Sequence, residues 1–261
     1  MPSIKSNGID TYYERHGQGP GMLLIHGLGN DSREWGPLIE KLEGGLTLIS
    51  YDMRGSGRSS APKGKYTMEE LARDAAGLLE EVAEAPIDVL GFSMGGCVAM
   101  QLALDRPDLV GRLVLVSTLP SWHGPYPPCE ALNKLFHRTD ACEELLSDVY
   151  EAIFGGTYRK RVPAKEYVAE RMNDEFPQAV DAYLGQLAAL ESFDVRERVS
   201  SISAETLIVA GSDDHVVPLD NSRWLNDKIP NSRLEILEGA GHMIPVEMPG
   251  ELASIITEEE L

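Results

Sequence analysis

The amino-acid sequence predicts an α/β fold: a mainly parallel, twisted sheet with helices on both faces and a helical cap inserted after the sixth strand. Three observations carry this. Apolar runs such as Gly21–Ile25 and Val89–Phe92 read as strands buried on both faces, the kind found inside parallel sheets. Segments whose apolar residues recur at helical spacing lie between such runs, so strand and helix alternate. From about Leu119 to Leu190 the alternation stops: Pro120, Pro125, Pro127 and Pro128 open a stretch with helical patterns and no strand.

Taken in order, Ser3–Lys5 and Thr11–Glu14 flank Asn7-Gly8 and predict a β-hairpin. Gly21–Ile25 is a strand running into His26-Gly27-Leu28-Gly29. Ser32 caps a helix carrying Trp35, Leu38, Ile39 and Leu42 on one face. Leu46–Tyr51 is the next strand, followed by the loop Asp52–Ser59. Thr67 with Glu70 forms a capping box for a helix reaching about Ala85. The run Ile87–Phe92, a helix and the strand Arg112–Val116 come next. Helical patterns over Ala131–Phe136, Cys142–Phe154, Lys165–Met172 and Gln178–Leu190 make up the predicted cap. Strand Thr206–Ala210, helix Leu219–Ile229, strand Arg233–Leu237 and a helix from Pro249 complete the alternation. The predicted organisation is therefore a core of residues 1–118 and 191–261 with a cap of residues 119–190.

A chain of 261 residues, 43% hydrophobic, can bury a large core. Its net charge of -19 argues against nucleic acid or an anionic membrane surface as a partner. Cys97, Cys129 and Cys142 make no even framework and no Cys-x-x-Cys pair, which fits reduced thiols and a cytoplasmic location. Met1–Gly17 has no apolar signal-like core and no apolar run approaches membrane-spanning length. No metal-ligand cluster or phosphate loop is apparent, and Gly55-Ser56-Gly57 lacks the third glycine of a dinucleotide fingerprint, so no cofactor or metal is expected. Oligomeric state has no sequence signal.

Ser93 stands in Gly91-Phe92-Ser93-Met94-Gly95, between a strand and a helix carrying Cys97, Val98, Met100 and Leu102. So sharp a turn strains the serine backbone and needs small flanking residues. It raises the hydroxyl at the top of the sheet and aims helix N-terminal amides at charge developing beside it. The hydroxyl becomes a useful nucleophile when an imidazole takes its proton and a carboxylate orients the imidazole. Of the six histidines, His16 lies in the hairpin region and His123 and His137 in the predicted cap. His26 is placed to brace the loop after its strand, and His215 follows Asp213 and Asp214 too closely to face back onto them. His242, in Glu238-Gly239-Ala240-Gly241-His242 after the last strand, lies at the same sheet end as Ser93 and is the candidate base. Asp213 and Asp214, after the preceding strand, are the candidate acids.

Together these motifs resemble the α/β-hydrolase family, over nearly the whole chain. Its strand-end pattern Gly-x-x-Asp-x-x-x-Pro matches Gly211, Asp214 and Pro218, so the resemblance assigns the acid to Asp214 and leaves Asp213 as a loop-capping carboxylate. The order Ser93, Asp214, His242 is the family's order. The resemblance also implies an oxyanion hole made by the backbone N–H groups of Leu28 and Met94. The implied activity is hydrolysis of carboxylic esters with small to medium acyl chains through an acyl-enzyme, with a small-molecule ester or lactone as substrate. Trp122, Leu132, Phe136 and Phe154 of the cap are the expected pocket residues. Ser93 where dehalogenases and epoxide hydrolases of this fold carry aspartate argues against those activities. Carbon-carbon bond hydrolases usually have Asn where Phe92 stands. Tyr51–Ser59, Ser93–Gly96 and Ala240–Glu247 are similar to 3-oxoadipate enol-lactonases, although that group commonly has Asn-Ser in place of His26-Gly27. Enol-lactone hydrolysis and carbon-carbon hydrolysis are the alternatives; a ligand receptor with little turnover is a third.

Overall fold

A computed structural model describes residues 2–128, 130–139 and 142–258. The hairpin is β1 (Ser3–Ser6) and β2 (Ile9–His16), turning through Asn7 and Gly8 at positive φ. Then come β3 (Gly21–Ile25), α1 (Gly36–Leu42) behind a short 3-10 turn at Ser32–Trp35, β4 (Thr47–Tyr51) and α2 (Met68–Val82). β5 (Ile87–Phe92), α3 (Met94–Asp105) and β6 (Val110–Val116) follow. Between β6 and β7 (Glu205–Gly211) lie α4 (Glu130–Phe136), α5 (Glu143–Ile153), α6 (Gly156–Arg161), α7 (Ala164–Met172) and α8 (Val180–Ser192). The chain continues through α9 (Leu219–Lys228), β8 (Ser232–Leu237), α10 (Ile244–Glu247) and α11 (Pro249–Thr257).

The strand order is β1-β2-β4-β3-β5-β6-β7-β8, antiparallel at β1–β2 and β2–β4 and parallel from β4 onward. The order reverses between β3 and β5, which leaves a crevice above their carboxyl ends. The loops after β3 and β5, holding His26–Asn30 and Ser93, meet there. Met22–Ile25, Val89–Leu90 and Leu113–Val116 are essentially inaccessible, as strands covered on both faces must be. α3 is buried nearly all round because α2 packs over its outer side. The capping box of α2 forms in both directions, Glu70 N–H to Thr67 Oγ1 and Thr67 N–H to Glu70 Oε2.

Two short helices carry no sequence signal. α6 has six residues and buries none of them, so it shows no apolar stripe, and α10 is a single turn. Buried polar contacts tie the insertion to the core. Gln186 Nε2 donates to Arg54 O at 2.9 Å and to Ser56 Oγ at 3.0 Å, and Gln178 Nε2 donates to Gly55 O at 2.9 Å. The Gly55-Ser56-Gly57 stretch therefore serves as a docking loop for α8.

Candidate active site

Ser93 has φ 53° and ψ -119°, a backbone conformation that a residue with a side chain rarely adopts. This strained conformation persists because the surroundings over-determine it. Ser93 N–H donates to Val116 O at 2.9 Å, and Thr118 Oγ1 donates to Ser93 O at 2.7 Å. A Cβ at Gly91 would meet Gly95 O at 2.3 Å, and one at Gly95 would meet Ile25 O at 2.0 Å. These are the small flanking residues the motif requires. Gly96 is equally constrained, since a Cβ there would meet the Thr118 side chain at 2.5 Å.

Ser93 Oγ lies 3.0 Å from His242 Nε2, and His242 Nδ1 lies 2.9 Å from Asp214 Oδ2. A carboxylate only accepts, so Nδ1 carries the proton and Nε2 is free to accept from the serine hydroxyl. Asp214 is itself oriented: its Oδ1 accepts from Val216 N–H at 2.8 Å and Val217 N–H at 2.9 Å. The Phe92 ring sits 5.1 Å from the His242 ring and limits its tilt. Asp213 points elsewhere and accepts from Gly156 N–H at 2.8 Å, at the start of α6. Contrary to the sequence expectation, His215 does face back, with Nε2 3.2 Å from Asp213 Oδ1. The turn after Gly211 sends the two aspartates in opposite directions, which makes room for this; His215 is exposed and does not line the cavity.

The loop after β3 is braced from below. Met53 N–H donates to His26 Nε2 at 3.0 Å, so the proton of this histidine is on Nδ1, 2.8 Å from Gly27 O. That carbonyl belongs to the peptide whose N–H is Leu28's, and a hydrogen bond to it strengthens Leu28 as a donor. Complete burial holds the His26 imidazole below its ordinary pKa, hence neutral. Glu34 Oε1 accepts from Gly27 N–H at 3.1 Å, and burial pushes the Glu34 carboxyl up to about 8. A Cβ on Gly27 would crowd the site, standing 3.1 Å from the Phe92 ring and 3.4 Å from Ser93 Cβ. Leu28 and Met94 both line the cavity beside Ser93, and among the described residues no protein acceptor takes their amide hydrogens.

His242 is held by a group that sequence reasoning overlooked. Glu247 Oε2 accepts from Gly155 N–H and Gly241 N–H, each at 3.0 Å, and its Oε1 accepts from Met243 N–H at 3.1 Å. His242 N–H donates to Ile153 O at 2.9 Å, at the end of α5. The insertion thus touches the backbone of the candidate base directly. The only signal for this was a glutamate one short turn beyond the histidine.

The cavity above Ser93 has a volume of about 420 Å³, within the usual range of small-molecule sites. Trp122 and Phe136 line it, with Leu145, Val149, Ile153 and Val217. Phe154 does not: at the end of α5 it turns away and stacks on Tyr158, ring centroids 4.6 Å apart, while Ile153 takes the wall position. The Leu132 side chain lies outside the described residues.

Residues 22–255 match the model of the alpha/beta hydrolase family. The chain belongs to the α/β-hydrolase family. It is a hydrolase of this family by sequence as well as by fold. A curated relative from Variovorax paradoxus (strain S110), named "Putative carbamate hydrolase RutD", is 34% identical over 245 residues, spanning 90% of each chain. Among solved structures, Est816, described as an N-acyl homoserine lactone degrading enzyme, has a TM-score of 0.87 at 25% identity and covers 98% of both chains. The enol-lactonase from Burkholderia xenovorans LB400 has a TM-score of 0.86 at 25% identity, again over 98% of both chains.

Proposed function

We propose that this family member is a serine hydrolase of carboxylic esters, lactones included, acting through Ser93, His242 and Asp214. The observation that carries the reading is the continuous hydrogen-bonded chain from Ser93 Oγ to the Asp214 carboxylate at the floor of a largely apolar cavity. His242 Nε2 takes the serine proton as Oγ attacks the ester carbonyl. The Leu28 and Met94 amides receive the oxyanion. His242 then gives the proton to the leaving alcohol and activates the water that clears the acyl-enzyme. Asp214 holds the imidazole tautomer throughout. Residues 119–190 serve as the cap and supply most of the acyl wall.

Apolar walls favour an acyl chain, whose methylenes each gain about 0.8 kcal/mol on burial. A small carbamate offers no such surface, which is why the ester reading is preferred over the activity named for the RutD relatives. A lactone is an internal ester and needs no other machinery.

Hydrolysis of p-nitrophenyl esters from acetate to dodecanoate, of γ-lactones and of carbamates by wild type and Ser93→Ala tests this. Esters or lactones turned over with kcat reduced at least about 10⁴-fold in Ser93→Ala support the proposal. Turnover that survives the substitution removes Ser93 as nucleophile, and turnover of carbamates alone removes the ester reading.

A further inference from the structure

The loop carrying Leu28 is held from above as well as from below. Arg171, near the end of α7 in the insertion, donates from Nη2 to Gly29 O at 2.5 Å. Gly29 adopts φ 76°, so this carbonyl projects from a turn that only a glycine takes without strain. The guanidinium is bracketed on its other side by Asp174, with Nη1 3.8 Å from Oδ2. Asp174 is anchored in turn: it accepts from Phe176 N–H at 2.9 Å and from Arg33 Nη2 at 2.6 Å. Arg33 also pairs with Asp31, whose carboxylate accepts from Arg33 N–H at 2.9 Å. The Phe176 ring lies under the Arg33 guanidinium, 5.4 Å from its centroid. Residues 29–33 of the core and 171–176 of the insertion thus form one connected network against the oxyanion loop.

We propose that Arg171 is a positioning residue: by holding the Gly29 carbonyl it keeps the Leu28 amide aimed at the oxyanion, so that the strength of the hole depends on how α7 is seated. The inference rests on Ser93 as nucleophile and Leu28 as oxyanion donor. Arg171 does not contact the reacting atoms in this role. Its effect passes through the loop backbone, where a small displacement weakens a bond that matters only in the transition state. An arginine that instead gripped an anionic group of the substrate would act on ground-state binding.

The test compares wild type, Arg171→Met and Arg171→Lys in two assays, with thermal melts as a control for folding. The first is kcat and KM on p-nitrophenyl butyrate, a neutral ester. The second is the rate of inactivation by an alkyl fluorophosphonate, which needs the nucleophile, the base and the oxyanion hole but no particular natural substrate. Arg171→Met is expected to lower kcat and the inactivation rate together by about tenfold or more, with KM changed less than about twofold. Arg171→Lys, which keeps one cationic donor, is expected to fall between the two. Unchanged kcat and inactivation rate overturn the proposal, as does a raised KM at constant kcat. If Arg171→Met melts early, Arg171→Lys with a wild-type melt decides by the same criteria. A wild type that reacts with the fluorophosphonate but cleaves no ester defeats the ester reading and leaves this inference to be judged on inactivation rates. A wild type that does not react at all defeats the nucleophile itself.

Discussion

Ser93 shows at the scale of one residue how a site is built from what the neighbours lack. Its φ of 53° is tolerable because Gly91, Gly95 and Gly96 leave room for Gly95 O, Ile25 O and the Thr118 side chain. Gly95→Ala is expected to destabilise the fold by about 3 kcal/mol or more and to abolish fluorophosphonate labelling, because a Cβ 2.0 Å from Ile25 O forces backbone to move. Denaturant unfolding and labelling check both. Glu34 gives a prediction in pH. Its folded-state pKa is raised to about 8 by burial, while the unfolded chain titrates near the ordinary carboxyl value. The folded state therefore holds a proton that the unfolded state has lost, and its stability falls as pH rises from about 4.5 to about 8. Glu34→Gln removes this slope. Relative to wild type it should gain roughly 1–3 kcal/mol by pH 8 and nothing near pH 4.5, as read from urea unfolding at several pH values. A stability difference between Glu34→Gln and wild type that stays constant over this window would show that Glu34 ionises normally. The groups around Glu34 that set its charge balance are Asp31 and Arg171, with Asn30 beside it.

At the scale of elements, the helices between β6 and β7 do more than line a cavity. The end of α5 presents Ile153 O to the His242 amide, and Gly155 packs against Gly241 so closely that a Cβ on Gly241 would lie 2.2 Å from Gly155 N. Glu247, in α10, joins these segments by accepting three backbone N–H groups while nearly inaccessible. Removing it strands those donors, so Glu247→Ala should cost about 2–4 kcal/mol of stability and lower kcat more than it changes KM. Glu247→Gln, which keeps one acceptor oxygen, should lose less on both measures. Equal stability of Glu247→Ala and wild type would mean that water replaces the carboxylate without cost. On the opposite side, the Arg54–Asp74 pair, nearly inaccessible at both ends, secures the loop on which Gln186 docks. Breaking such a pair from one side leaves a buried charge, and Asp74→Ala should cost about 3–5 kcal/mol in the same assay.

For the whole molecule the dominant electrostatic fact is a net charge of -19 over 261 residues. Self-repulsion at this charge opposes the compact state and is screened once the Debye length drops to about 10 Å, near 0.1 M salt. Tm is therefore expected to rise by several degrees between low salt and about 0.5 M NaCl. A Tm independent of salt would mean that local ion pairs such as Arg58–Asp52 already offset the repulsion.

Periodicity by itself determined the alternation of strand and helix, because fully buried strands and amphipathic helices leave local patterns that need no partner to be read. The Gly-x-Ser-x-Gly motif and the strand ends marked Ser93, His242 and the two aspartates as candidates, since each follows a strand and the strands of a parallel sheet end at one edge. Periodicity left Asp213 and Asp214 equal, and only the family's strand-end pattern favoured Asp214; the tertiary structure supplies the physical ground. Their neighbours in the chain are nearly the same, and what differs is that one faces His242 and the other an amide of α6. The same holds for Phe154, which the helical pattern could not distinguish from Ile153 as a wall residue. Glu34, Glu247 and Arg171 were invisible for a shared reason. A charged residue at a helix end reads as solvated until the fold brings it against a backbone amide or carbonyl distant in the chain, and 142 residues separate Arg171 from Gly29.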